Sequence, residues 1–596
     1  SDLLRQVGDG FVLAGPLSAF AVPATLQDSL QARLDQLGAR REVVQAAAVL
    51  GRSFPYGMIR SMSSTEGNRL DEELARLVDA EILVQEGSPP AARYTFRHGL
   101  LQEAAYATIL RNRRHQLHQK AAEALEEQAS SPPPADAPSL ALLAHHWSRA
   151  VDPRQPDAAF VRKAVGLLRQ VGEQALRLSA YAEALDSFDQ ALRFVSGIPE
   201  SPERHEEELA LQIWRSNVLK VIRGWGAEEV KQAYDRAREL CDLLGGRPEL
   251  AQVLFGLWSY HLWNAEYERS RDLALECLEL ARASGDDDLL MEAHGALSSS
   301  LFWLGEITGS LESAQRILTR FSPEACESHR LRFGMDPRVV ALQFVIAALD
   351  FTGWVEEARR RLGELLDLAR TTAHPFSMAI ALLSAIEFHR HRQEVGSVRD
   401  FAAELLDLAR RHGFPEYESM AHFFGNWALA ASGEQGGFAE QMHEALTAVL
   451  RKASKVALAH ASGLVAEAYW RAGRALESLA VLEDGLTVAR QTREWSYEAE
   501  LLCFQGEILA ELARQSSEVL TAALHRVSAE AALRKAFHLA RQRQQTLVAR
   551  RVASLLTALL GDQGRSDEAA PLCLELERIS GETLRTVERL LEVPHA

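Results

Sequence analysis

The stretch Ala468-Tyr469-Trp470-Arg471-Ala472-Gly473-Arg474-Ala475-Leu476-Glu477-Ser478-Leu479-Ala480 decides the fold. Helix-forming runs flank a single turn glycine, so it reads as helix–turn–helix. The pattern recurs. A small apolar residue, Ala and Arg close helices at Leu280-Ala281-Arg282, Leu368-Ala369-Arg370, Leu408-Ala409-Arg410, Val488-Ala489-Arg490 and Leu539-Ala540-Arg541. Turns placed at Ala265, Gly305, Gly353, Gln393, Gly433 and Gly473 are separated by 40, 48, 40, 40 and 40 residues. The extra eight fall in 329–337, a loop with Gly334 and Pro337. A fixed period of helical hairpins predicts an α-solenoid, in which each unit buries its face only against its neighbours. The closing Arg suits the negative end of the helix dipole, and the Ala beside it permits close helix contact.

The rest of the chain fits a mainly-α protein. Apolar residues make up 47% and charged residues 25%, a globular balance that excludes wholesale disorder. The net charge of −17 speaks against a chain built to wrap nucleic acid. Of 65 basic residues 58 are Arg, spread over every segment, so the skew reads as codon bias. Five widely spaced cysteines without a CxxC give neither a disulfide scaffold nor a zinc site, and a reducing cytoplasm is the expected home. No apolar run reaches the ~18 residues of a membrane span, and no signal peptide is visible. The chain opens on Ser1 rather than Met, so it is expected to be processed or a piece of something larger.

Strand-like segments are few: Phe11–Leu13, Ile82–Val84 and Tyr94–Phe96, the last two joined by a Pro- and Gly-rich turn. Helical stretches at about Leu26–Leu37, Arg41–Leu50 and Gly67–Ala80 precede this hairpin, which is the winged-helix order. An amphipathic stretch, Leu100–Gln128, follows. The expected domains are 1–24, a remnant of a preceding domain; 25–129, the winged helix; 130–156, a Pro-rich linker and connecting helix; and 157–596, a solenoid of about nine helical pairs.

The unit around Gly473 resembles a tetratricopeptide (TPR) repeat, with Tyr469 four residues before the turn. The usual TPR period is about 34 residues, so these would be long-helix variants. Gly15-Pro16-Leu17, Val22-Pro23, Thr25-Leu26-Gln27, Ala32-Arg33-Leu34-Asp35, Ala48-Val49-Leu50-Gly51-Arg52, Phe96-Arg97-His98 with Leu100, Glu103 and Tyr106, and Arg113-Arg114 with Leu117-His118 resemble, in order, the winged-helix region of bacterial STAND-type signalling ATPases. In that family a P-loop ATPase precedes the winged helix, and a class III nucleotide cyclase, a kinase or a DNA-binding module is often fused at one end. This chain has no GxxxxGK[ST] phosphate loop and no cyclase. The resemblance therefore implies a non-catalytic regulatory and interaction region, with ATP or ADP bound only by an absent ATPase domain in cis. A free-standing TPR scaffold and a transcriptional regulator stay open as alternatives.

By the same resemblance His98, with Arg97 second, would touch the phosphate of that ATPase's nucleotide. A His at a strand-to-helix junction can donate to an anion there; the alternative is a His capping its own helix. The candidate DNA-reading helix, 66–79, holds five acids and two Arg, so DNA is not expected as a partner. In TPR arrays the first helix of each pair lines the concave face. Positions two, three and six before each turn collect Trp263, Trp303, Phe351, Glu387, Arg390, His391, Trp427, Glu467, Trp470 and Arg471 as a groove for a protein or peptide. Burial of these aromatics between long repeats is the competing outcome. His145-His146 point about 100° apart on a helix and suggest no metal pair; no cofactor, metal or membrane is expected, and self-assembly stays open.

Overall fold

The computed structural model describes residues 4–7, 10–13, 41–63, 67–129, 140–178, 180–245, 248–320, 336–434, 436–450 and 455–591. The expected helix at 26–37, and most of the 1–24 segment and the Pro-rich stretch, lie outside them. The chain divides into two compact units, Ser1–Arg204 and His205–Ala596. The expected boundary at 130–156 thus falls inside the first unit, and the helical pair 158–195 groups with that unit.

In the first unit β1 (Leu4–Val7) pairs antiparallel with β2 (Gly10–Leu13). Then come α1 (Arg41–Leu50), β3 (Ser53–Pro55), α2 (Tyr56–Met62), α3 (Gly67–Asp79), β4 (Leu83–Glu86) and β5 (Arg93–Phe96). The three strands form one antiparallel sheet in the order β3-β5-β4. Leu70, Leu74 and Leu77 of α3 recur at helical spacing and are fully buried. On β5, Tyr94 and Phe96 point inward and Phe54 of β3 stacks 6.1 Å from Tyr94. The stretch 100–128, expected as one run, is two helices, α4 (Gly99–Ala107) and α5 (Arg111–Ala129). Thr108 ends the first by folding its hydroxyl onto Ala105 O at 2.7 Å, and Arg114 donates to the carbonyls of Tyr106 and Ile109. Beyond follow α6 (Leu140–Ala150), α7 (Ala158–Arg177) and α8 (Tyr181–Val195). Gly172 lets α7 and α8 approach: a Cβ there would lie 2.5 Å from the Phe188 ring.

The second unit is a mainly-α, TPR-like solenoid. Its successive pairs are α9 (Pro202–Arg223) with α10 (Glu228–Leu243), α11 (Leu250–Trp263) with α12 (Tyr267–Ser284), α13 (Asp287–Trp303) with α14 (Ile307–Arg320), and α15 (Pro337–Phe351) with α16 (Val355–Thr372). Then come α17 (Pro375–His391) with α18 (Val395–His412), α19 (Pro415–Ala431) with α20 (Phe438–Leu450), α21 (Leu458–Arg471) with α22 (Ala475–Thr492), α23 (Trp495–Gln515) with α24 (Val519–Gln542), and α25 (Thr546–Asp562) with α26 (Ala569–Leu591). Every turn position expected from the sequence is left-handed: φ is 59° at Ala265, 75° at Gly305, 87° at Gly353, 57° at Gln393, 77° at Gly433 and 75° at Gly473. This residue closes the first helix of each pair, as when the Arg474 N–H reaches back to Tyr469 O at 2.9 Å. Glycine adopts it freely, while Ala265 and Gln393 hold it against their own Cβ. Asp286 caps α13 through the Leu289 N–H at 3.0 Å, as its place after Gly285 led one to expect. Ser298, Ser299 and Ser300 are buried and knit helices together: Ser298 donates to Ser310 O, and Ser300 accepts from the Trp258 indole.

Candidate functional site: a polar cluster inside the closed solenoid

The second unit curls until repeats far apart in sequence meet. Lys455 N–H donates to Trp263 O at 2.6 Å, Thr308 Oγ1 to Gln544 at 2.7 Å, and Ser496 Oγ to Trp303 O at 3.3 Å. Tyr267 OH reaches Glu494 at 3.5 Å, and Arg493 pairs with Glu268. Glu494 in turn accepts the first free N–H groups of α21, from Ala459 at 3.2 Å and His460 at 3.0 Å. Burial pushes its carboxyl up to about 7, against the pull of those N–H donors.

Of the five aromatics expected along a groove, Trp263, Trp303 and Trp470 are half-buried. Phe351 (3% exposed) and Trp427 (1% exposed) are buried. Phe351 packs against Phe302, His391 and Tyr497, and the Trp427 indole donates to Glu467 at 3.0 Å. Trp263 stacks on Trp225, and Trp303 on Tyr267 at 5.7 Å. Trp470 is half-buried; Arg471 is exposed and pairs with Glu467 at 2.8 Å.

What the structure does bring together is the polar part of the expected set. Glu387 and Arg390, one turn apart at the end of α17, pair at 2.9 Å. Glu387 also contacts His460 at 3.0 Å, and the His460 ring stacks on Tyr497 with centroids 4.0 Å apart. His391 Nδ1 and Arg392 both bind Asp350. Glu500 lies 3.8 Å from Arg390 and 3.9 Å from His391. For Asp350, Glu387 and Glu500 burial alone would raise the carboxyl. The neighbouring His and Arg charges outweigh it, and all three are held below the usual carboxylate range. Burial pushes Tyr497 well up, so it stays a neutral phenol. His460, Tyr497 and Glu500 were not anticipated. They sit outside the positions read just before each turn, and only closure carries them to Arg390.

In the first unit His98 is the residue before α4, exposed, and its imidazole makes no capping bond to the helix. Arg97 is exposed and 3.5 Å from Glu81. On α3, Asp71, Glu72 and Asp79 are exposed beside Arg69 and Arg76, and each Arg sits 3.9 Å from a Glu of its own helix. His146 is buried and meets buried His118 Nδ1 to Nδ1 at 2.9 Å; the Tyr106 hydroxyl lies 2.9 Å from His118 Nε2. Among the described residues no group of three His, Cys, Asp or Glu is arranged to hold a metal ion, and no helix is long and apolar enough to cross a membrane.

No family model matches the chain. An uncharacterised protein of Rhizobium meliloti (strain 1021) is 24% identical over 411 residues, 68% of this chain and 39% of the relative. The chain therefore spans about two-fifths of the length of that relative. Similar solved structures include a Rap protein complexed with Competence and Sporulation Factor (TM-score 0.38, 12% identity, 71% of this chain and 99% of that one). Another is a Signal Transduction ATPase with Numerous Domains (STAND) protein with a tetratricopeptide repeat sensor from Pyrococcus horikoshii (TM-score 0.39, 11% identity, 78% and 65%). The human IFIT1 dimer with m7Gppp-AAAA is a third (TM-score 0.35, 15% identity, 70% and 90%). The class is defined by the chain's own helix pairs: a TPR-like helical-repeat protein.

Proposed function

We propose that this chain is the non-catalytic sensing and protein-interaction region of a larger signalling ATPase, with a nucleotide cyclase as one candidate output. The solenoid receives a protein or peptide partner, and a winged helix at 25–129 restrains the ATPase in its ADP state. The observation that carries the reading is His98: an exposed imidazole at a strand-to-helix junction, unspent on its own helix. Such a group is free to donate to a phosphate presented by another domain. The order α1-β3-α2-α3-β4-β5 supports a winged helix, and the exposed acids of α3 disfavour a DNA-binding one. In the parent protein, His98→Ala is expected to lower retained ADP and raise basal activity. Unchanged nucleotide occupancy and activity would remove the ATPase link.

A further inference from the structure

The polar cluster borders a cavity of about 90 Å³ between α17, α21, α23 and α25. One wall is apolar, from Leu464, Tyr497, Leu501 and Phe504. The lining also carries Arg390 and His391 from α17 and Glu500, which shares the face of α23 that presents Tyr497, Leu501 and Phe504. Arg390 is 3% exposed; its Nε serves Glu387, but its Nη2 has no hydrogen-bond partner. His391 spends Nδ1 on Asp350, whose carboxylate has no proton to give, and its Nε2 is likewise unpartnered. Glu500 lies 3.8 and 3.9 Å from these two residues, too far for a hydrogen bond to either. The remaining carboxylates are engaged: Asp350 by His391 and Arg392, Glu387 by Arg390 and His460, Glu467 by Trp427 and Arg471. A bare buried guanidinium N–H2 calls for an acceptor. A carboxylate beside it calls for a donor and repels a second anion. The lining charges, Arg390 and Arg551 against Glu467 and Glu500, balance, so a neutral guest loses least on entry. A cavity of ~150 Å³ holds benzene, so this one takes a group of about four heavy atoms.

We propose that this cavity receives a primary carboxamide, the end group of an asparagine or glutamine side chain, with its oxygen on Arg390 Nη2 and its N–H2 on Glu500. The Nε2 of His391 completes the site with a lone pair or an N–H, according to the ring's protonation. The inference deepens the sensing reading by naming what the solenoid senses.

The test is ligand-observed NMR and calorimetry on the full chain with acetamide, acetate, L-asparagine and N-acetyl-asparagine methylamide. Acetamide is expected to bind weakly, in the millimolar range that about four heavy atoms allow, and acetate at least ~10-fold more weakly. Preference for the blocked residue over free asparagine assigns the guest to a peptide; the reverse assigns it to the free amino acid. Arg390→Lys keeps the charge opposite Glu387 but loses the Nη2 donor, and is expected to weaken acetamide ~10-fold at an unchanged melting temperature. Glu500→Gln removes the repulsion and is expected to erase the preference over acetate, a result readable even where Arg390→Lys fails to fold. Equal binding of acetamide and acetate by the native chain, no binding of either up to ~0.1 M, or indifference to both substitutions would overturn the proposal. Acetamide binding combined with an inert His98→Ala parent would sink the ATPase link and keep the cavity; the converse pair of results would do the opposite.

Discussion

Gly305 and Gly473 occupy the same turn of their repeats with the same φ of 75°, yet an added Cβ would meet different surroundings. At Gly473 nothing lies within 4 Å. At Gly305 the Cβ would be 3.0 Å from Arg543 Cδ and 3.3 Å from the backbone carbon and Cβ of Trp495, across the seam that closes the solenoid. Gly473→Ala therefore carries only the left-handed penalty, about 1 kcal/mol. Gly305→Ala carries the same penalty plus overpacking of about 1–3 kcal/mol. Trp495 cannot retreat cheaply, since its carbonyl is held by Arg543 at 2.6 Å and the next carbonyl by Gln545 at 2.7 Å. Long repeat arrays need not unfold in one step. The assay is therefore hydrogen exchange by mass spectrometry, reading local opening free energies in peptides covering 300–308 and 493–497. Gly305→Ala should lower them by about 2–4 kcal/mol, and Gly473→Ala should leave the seam peptides unchanged while loosening its own repeat by about 1 kcal/mol. Equal effects of the two substitutions would mean that the seam is open in solution, and with it the cavity at Arg390.

Burial lowers His118 to about 3 and His146 to about 4, with the other histidines adding to the effect. Both are depressed below their unfolded value near 6.5, so their neutral forms sustain stability above that pH and lose it as pH falls toward 4. Each contributes a slope of up to about 1.4 kcal/mol per pH unit. The urea midpoint of protection in peptides covering 111–150 should drop between pH 7 and 5, and His118→Gln should flatten the drop; an unchanged profile would mean the pair is hydrated. Asp286→Ala should cost the 287–303 helix about 1 kcal/mol, measured as faster exchange of the Leu289 amide, and no change there would mean the cap bond is not made.

The features legible in the chain are those set within one or two turns. The six repeat turns were found because a left-handed residue must follow the first helix, and Gly supplies it at four of them. Leu70, Leu74 and Leu77, and the cap at Asp286, are local in the same sense. Other elements carry little local signal: β3 is three residues and α2 seven, too short for a periodic pattern, and the break between α4 and α5 rests on Thr108 and Arg114 side-chain bonds.

The site divides along the same line. Glu387, Arg390 and His391 were placed on an inner helix end by sequence, because the repeat period determines which face of each helix turns inward. Their partners His460, Tyr497 and Glu500 were decided by tertiary structure alone. Each repeat adds a small rotation to the last, and only the sum over the array determines whether the solenoid stays open or closes. That sum brings Trp303 to Ser496, buries Trp427 and Phe351, and places Arg390, with its Nη2 unpartnered, in the lining of a cavity that no single repeat contains.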